Sequence, residues 1–130
     1  MIVEIGHLLL IGALVISFLA GFSPLIRFIT KDNFYYLAVG PLNSIVFLLV
    51  LLSFISLIYS FLIDDFSVAY VANNSNTLLP NYFKFAATWG AHEGSLLLWI
   101  FCICLWSSVY FFLNKDKDEE FVALTVAVLN

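Results

Sequence analysis

Two stretches of this sequence carry side chains able to do chemistry. The richer is Thr88-Trp89-Gly90-Ala91-His92-Glu93-Gly94-Ser95-Leu96-Leu97-Leu98-Trp99, and the other is the opening Glu4-Ile5-Gly6-His7. His7 and His92 are the chain's two histidines, which makes them the candidates for holding a metal. An imidazole beside an acid, as at His92 and Glu93, can ligate a metal, shuttle a proton or hydrogen-bond a loop carbonyl. Each of these residues also has a plain structural role. Trp89 and Trp99 read simply as aromatics of a membrane-interface belt. Glu93 suits the start of a helix, where the macrodipole favours an acid, and Ser95 suits a cap. Gly90 and Gly94 permit tight backbone at a loop-to-helix corner. Cys102 and Cys104, two apart in an apolar run, point about 200° apart on a helix. They share neither a metal nor a disulfide, and read as small packing residues.

The elements that position these residues belong to a membrane. Of 130 residues, 63% are hydrophobic and 11% charged, and a soluble domain of this size needs a larger charged surface. Five Lys and Arg in all leave no basic surface for nucleic acid. The N-terminus lacks the basic residues of a cleaved signal peptide and reads as a retained anchor. Three apolar runs, 5–26, 42–63 and 95–113, are long enough to cross a bilayer core at 1.5 Å per residue. A fourth, 121–130, is too short to span, so the chain reads as cut off or as completed by a partner. The expected fold is all-α: a polytopic transmembrane helix bundle of three complete spans, a truncated fourth and a long loop, 64–94.

Charge orients the spans. Arg27 and Lys31 lie between the first two, and Lys115 and Lys117 follow the third, whereas the 64–94 loop has only Lys84. The positive-inside rule then places the N-terminus and the 64–94 loop outside, with 27–41 and 114–120 in the cytoplasm. Both histidines fall near the outer interface. Ala13, Ser17 and Gly21 form a small-residue stripe on the first span, and Ser53, Ser56 and Ser60 a polar one on the second. Such faces let helices approach closely in lipid. Trp106 lies about 16 Å into the third span, too deep for an interfacial anchor, so its indole is expected to find a neighbour. Within the loop, the Asn-rich segment 73–77 is turn-like. After Pro80, residues 81–87 can form a short interfacial helix whose Lys84 snorkels outward.

The stretch from Asp65 to Trp99, ending in the block W-G-A-H-E-G-S-L-L-L-W, resembles the first outer loop of the CcmF family, the large multi-span subunit of the bacterial cytochrome c haem lyase. The opening Glu4-Ile5-Gly6-His7 and its apolar span are similar to that family's N-terminus, so the resemblance covers essentially the whole chain. It implies a role in cytochrome c maturation in the bacterial inner membrane: joining haem vinyl groups to the CxxCH thiols of apocytochrome c on the periplasmic side. It implies haem as the cofactor handled, with a haem chaperone, apocytochrome c, membrane lipid and the lyase's remaining spans or subunits as partners. Trp89, His92, Glu93 and Trp99 would then shape a haem or apocytochrome platform. Family members are several times longer, however, and their tryptophan-rich segment and usual haem-ligand histidines have no counterpart here. Alone, this chain is expected to be inactive and to hold no haem. Two other readings stand beside this one. One is a non-enzymatic assembly subunit that packs through Ala13, Ser17 and Gly21. The other is a fragment of an ion-coupled transporter relaying protons through His92 and Glu93.

Overall fold

The computed structural model describes residues 2–30, 34–114, 116 and 119–130. Backbone in hydrocarbon must satisfy every N–H and C=O internally, so long apolar runs become helices. The helices, in chain order, are α1 (Ile2–Thr30), α2 (Phe34–Leu62), α3 (Ala69–Asn74), α4 (Asn81–Ala87), α5 (His92–Asn114) and α6 (Glu119–Leu129). There is no strand among the described residues. Three segments are long and apolar enough to cross a membrane: Glu4–Pro24, Val39–Leu62 and His92–Asn114. The 11 residues of α6 rise only about 16 Å, half of a bilayer core. Helix α5 begins at His92, so His92 and Glu93 belong to its first turn. Of the basic residues that orient the sequence, Lys31, Lys115 and Lys117 lie outside the described residues.

Helix α2 is the centre of the bundle. It packs along α1 and α5, while α6 lies against all three. The main core joins Ala13, Val46, Val50, Phe54, Leu97 and Cys104. Phe101 of α5 stacks between Phe47 and Phe54 of α2, with ring centroids 5.9 and 5.6 Å away. A second cluster of Val39, Val122, Ala123 and Val126 seats α6.

Both small-residue stripes are used within the chain, though not against each other. Ser53 donates to the Gly6 carbonyl at 2.9 Å, and a Cβ added at Gly6 would lie 2.8 Å from the Ser56 hydroxyl. The upper half of α2 therefore meets α1 at a glycine. The α1 stripe receives α6 instead. Ser17 donates to the Asn130 carbonyl, and a Cβ on Gly21 would sit 3.4 Å from the Ala127 carbonyl.

Where α2, α5 and α6 converge, buried polar groups bond one another. Ser107 donates to Asn43 Oδ1 at 2.8 Å, and Asn130 donates to the same oxygen at 2.9 Å. The Asn43 amide nitrogen in turn donates to Ser108 at 3.2 Å. An amide at this depth is costly unless every lone pair and proton is used. Trp106 departs from expectation: its side chain is 69% exposed and faces away from the bundle.

The Asn43 junction yields a direct test. Asn43→Leu strips partners from Ser107, Ser108 and Asn130 at once, with a cost of about 1 kcal/mol per bond lost in lipid. Thermal unfolding in detergent should show a fall in Tm, and Leu48→Ala on the exposed face of α2 should show little.

Candidate functional site

The segment between α2 and α5 is a compact cap over one end of the bundle. It starts at Asp64, whose φ of 55° lies in the left-handed region that Asp tolerates better than most residues. This turn points the Asp64 carboxylate at Lys84, and the two form an ion pair. Lys84 is thus 4% exposed rather than snorkelling outward. The reason is the orientation of α4, which packs against α2. Tyr82, Phe83 and Phe85 are exposed, while Lys84 and Thr88, four apart, share the buried face. Lysine on that face needs an acid, and Asp64 supplies it.

Tyr70 of α3 is the central polar group of the cap. Its ring packs edge-on against Phe61 at 5.4 Å. Its hydroxyl accepts the Gly94 N–H at 3.1 Å, with the carbonyls of Thr88 and Ala91 at 3.2 and 3.4 Å as acceptors for its proton. The first amides of a helix have no intrahelical acceptor, and here a tyrosine hydroxyl from another helix provides one. Ser95 does not cap α5, because its hydroxyl donates to the His92 carbonyl at 3.0 Å. Gly94 is what allows the approach: an added Cβ would lie 1.7 Å from the Thr88 carbonyl oxygen and 2.5 Å from the Tyr70 hydroxyl.

The four residues singled out from sequence do not form one cluster. Trp89 turns inward, half-buried, 6.5 Å from Phe54 and 4.9 Å from Phe85 in an edge-to-face contact. It ties α4 to the core. Trp99 is 70% exposed, and His92 and Glu93 are exposed too. His92, Trp99 and Trp106 are spaced by seven, so they share one outward face of α5. Beside Trp99 and Trp106 an apolar cavity of about 420 Å³ is lined also by Cys102 and Leu129. Glu93 faces elsewhere. With His7, Gly6, Ser53, Ser56 and Tyr70 it lines a cleft of about 320 Å³ between α1, α2 and α5. Among the described residues there is no group of three or more His, Cys, Asp or Glu that could hold a metal. Cys102 and Cys104 are free thiols, one exposed and one buried, as their spacing requires.

Three apolar spans, a packed cap and a third span that starts in van der Waals contact with that cap define a multi-pass helical membrane protein. Over nearly all of its length the chain is homologous to the CcmF/NrfE family of cytochrome c-type biogenesis proteins. It is 40% identical to the cytochrome c-type biogenesis protein NrfE of Haemophilus influenzae, over 99% of this chain and 20% of that protein. To the cytochrome c-type biogenesis protein CcmF of Pseudomonas aeruginosa it is 41% identical, again over 99% of this chain and 20% of the relative. A solved structure, cytochrome c heme lyase CcmF, superposes with a TM-score of 0.86 at 32% identity, covering 99% of this chain and 22% of that one. No family model matches the chain. The chain therefore spans about one fifth of the length of the curated relatives it matches.

The chain's two histidines do not line one cleft. Haem iron takes axial ligands such as histidine or methionine. Here His7 lines the α1–α5 cleft, whereas His92 is absent from that lining.

The cap can be tested by two pairs of substitutions. Gly94→Ala should cost at least about 3 kcal/mol through the clash with Thr88, whereas Gly90→Ala, whose Cβ meets nothing closer than 3.5 Å, should be tolerated. Lys84→Met should destabilise by about 3 kcal/mol by leaving Asp64 uncompensated, and Lys84→Met with Asp64→Asn, which removes the charge and keeps a residue that tolerates the left-handed turn, should recover much of it. Limited proteolysis of the 64–94 segment and Tm read both.

Proposed function

We propose that this chain is a membrane-embedded portion of a cytochrome c haem lyase acting in cytochrome c maturation. The observation that carries the reading is the superposition on a heme lyase over 99% of the chain with a TM-score of 0.86. In the complete protein, haem and apocytochrome c are the substrates, and haem vinyl groups are joined to the thiols of a CxxCH motif. A haem chaperone, apocytochrome c and the remaining spans of the lyase are the partners. The setting is the bacterial inner membrane, with the N-terminus and the 64–94 loop in the periplasm and 27–41 and 114–120 in the cytoplasm. The basic residues between and after the spans support that orientation.

Within the block from Trp89 to Trp99, His92 and Trp99 are the contact residues of this reading. They share the α5 face that points away from the chain's own core, and Trp99 offers an exposed ring for a planar or apolar ligand. Trp89 is a positioning residue, since it packs inward between Phe54 and Phe85. Glu93, in the first turn of α5, favours the helix start electrostatically. In this reading the chain acts only as part of the complete lyase. The assembly-subunit reading is weakened by the α1 stripe, which α6 already occupies through Ser17 and Gly21. The transporter reading lacks a charged residue within 5–26, 42–63 or 95–113, where an ion pathway needs one.

In the full-length protein that carries this segment, His92→Ala and Trp99→Ala should each lower holocytochrome c yield at least about fivefold, or roughly 1 kcal/mol of lost interaction. Membrane levels of the protein should stay normal. Unchanged yield in both variants would remove His92 and Trp99 from the substrate face.

A further inference from the structure

Two cavities lie in line on the inner side of α5 and share Leu10 in their walls, and together they are treated as one groove. The cleft at the cap end is lined by Gly6, His7 and Leu10 of α1, by Ser53, Ser56 and Leu57 of α2, and by Glu93 and Leu97 of α5. Below it lies a second cavity of about 340 Å³, again between α1, α2 and α5, with Leu10 common to both. The floor is a single α2 face, Leu57, Ser53, Val50 and Val46, at spacings of three and four. From Glu93 to Cys104 the α5 wall is about 16 Å long. Leu129 and Asn130 line the far end.

The ends of this groove differ in chemistry. At the cap end, the hydroxyls of Ser53 and Tyr70 are already spent on the Gly6 carbonyl and on the Thr88 and Gly94 backbone. The Glu93 carboxylate and the His7 imidazole are the groups left to meet a ligand. Their charge selects its sign. A carboxylate draws the cationic end of a headgroup, and an imidazole nitrogen can accept an N–H. A primary ammonium has three N–H donors, enough for both with one left for water. Beyond this polar mouth the walls are mostly Leu, Val, Ile, Ala and Cys, with Ser17 and Asn130 bonded to each other among them. A molecule that matches both ends has an ammonium head and a hydrocarbon chain of about the groove's length.

We propose that the groove between α1 and α5 binds a phospholipid with a primary-ammonium headgroup. The head lies at His7 and Glu93 and one acyl chain follows the α2 face toward Leu129. The site does not depend on the haem lyase reading, and its test does not use holocytochrome yield. In lipid, helices gain nothing from the hydrophobic effect by closing a gap, so a bound lipid fills α1–α5 space that side chains leave open.

The test uses the full-length protein carrying this segment, stripped of lipid and exchanged into phosphatidylethanolamine or its N-trimethylated counterpart, phosphatidylcholine, with identical acyl chains. Native mass spectrometry then counts retained lipid. Phosphatidylethanolamine should be retained with about tenfold preference, as fits a charge-assisted bond lost on methylation. Glu93→Gln and His7→Ala should reduce the preference, and Gly90→Ala should not. Ala13→Phe, which fills the apolar half, should lower retention of both lipids. Tm of each variant checks that it is folded. Equal retention of the two lipids by the unmodified protein would overturn the proposal, and so would a preference that survives Glu93→Gln. A photo-cross-linker on Cys104 that captures polypeptide instead of lipid would overturn it as well.

Discussion

The contact between Gly94 and the Thr88 carbonyl, bridged by the Tyr70 hydroxyl, is the constraint from which the rest of the molecule's upper end follows. Three elements meet there: α3 gives the hydroxyl, the turn after α4 gives two carbonyls, and α5 gives an orphan amide. Burying that amide without an acceptor would cost the desolvation of a peptide group. With it, α5 can begin inside the cap instead of in water. Because α5 is fixed at its first turn, His92 and Trp99 point outward while Glu93 turns into the cleft with His7.

The cap itself is held to the bundle by unlike forces acting side by side. Phe61 and Tyr70, then Phe54, Trp89 and Phe85, make a chain of aromatic contacts from α2 into α3 and α4. The Asp64–Lys84 pair adds a directional bond on the same side. Aromatic contacts tolerate small shifts, but an ion pair whose lysine is buried and a glycine pressed against a carbonyl do not. Deeper in the bundle the logic changes. There the helices approach through Gly6, Gly21 and serine hydroxyls, and a single amide, Asn43, joins α2 to α5 and α6. This is the pattern expected where lipid replaces water and packing replaces hydrophobic drive.

Much of this was legible in the residues. Apolar run length identified three spans because a bilayer sets a minimum helix length, and the Ala13 and Ser53 stripes marked faces that do carry close helix contacts. The corner glycine at 94 was legible as tight backbone. What it approached was not, because Thr88 and Tyr70 come from separate elements whose packing no local pattern encodes. Lys84 was misread for a similar reason. Its neighbours favour a surface helix, and only the turn at Asp64, twenty residues earlier, supplies the acid that lets it be buried. Trp106 erred the other way: its depth in the span suggested a partner, but the face it occupies points outward with Trp99. Asn43 carried no local signal at all. The family resemblance rested on the W-G-A-H-E-G-S-L-L-L-W block, and the structure gives that block a physical division of labour. Trp89 and Gly94 build the corner, while His92 and Trp99 face out from it.

The most direct measurement is hydrogen–deuterium exchange at the Gly94 amide in the membrane-embedded protein, with and without Tyr70→Phe. The bond to Tyr70 predicts slow exchange at Gly94 in the unmodified protein. In the phenylalanine variant, which keeps the ring against Phe61 but lacks the acceptor, exchange should be faster by about tenfold or more. A Gly94 amide that exchanges freely in the unmodified protein, or one equally protected in Tyr70→Phe, would contradict the account.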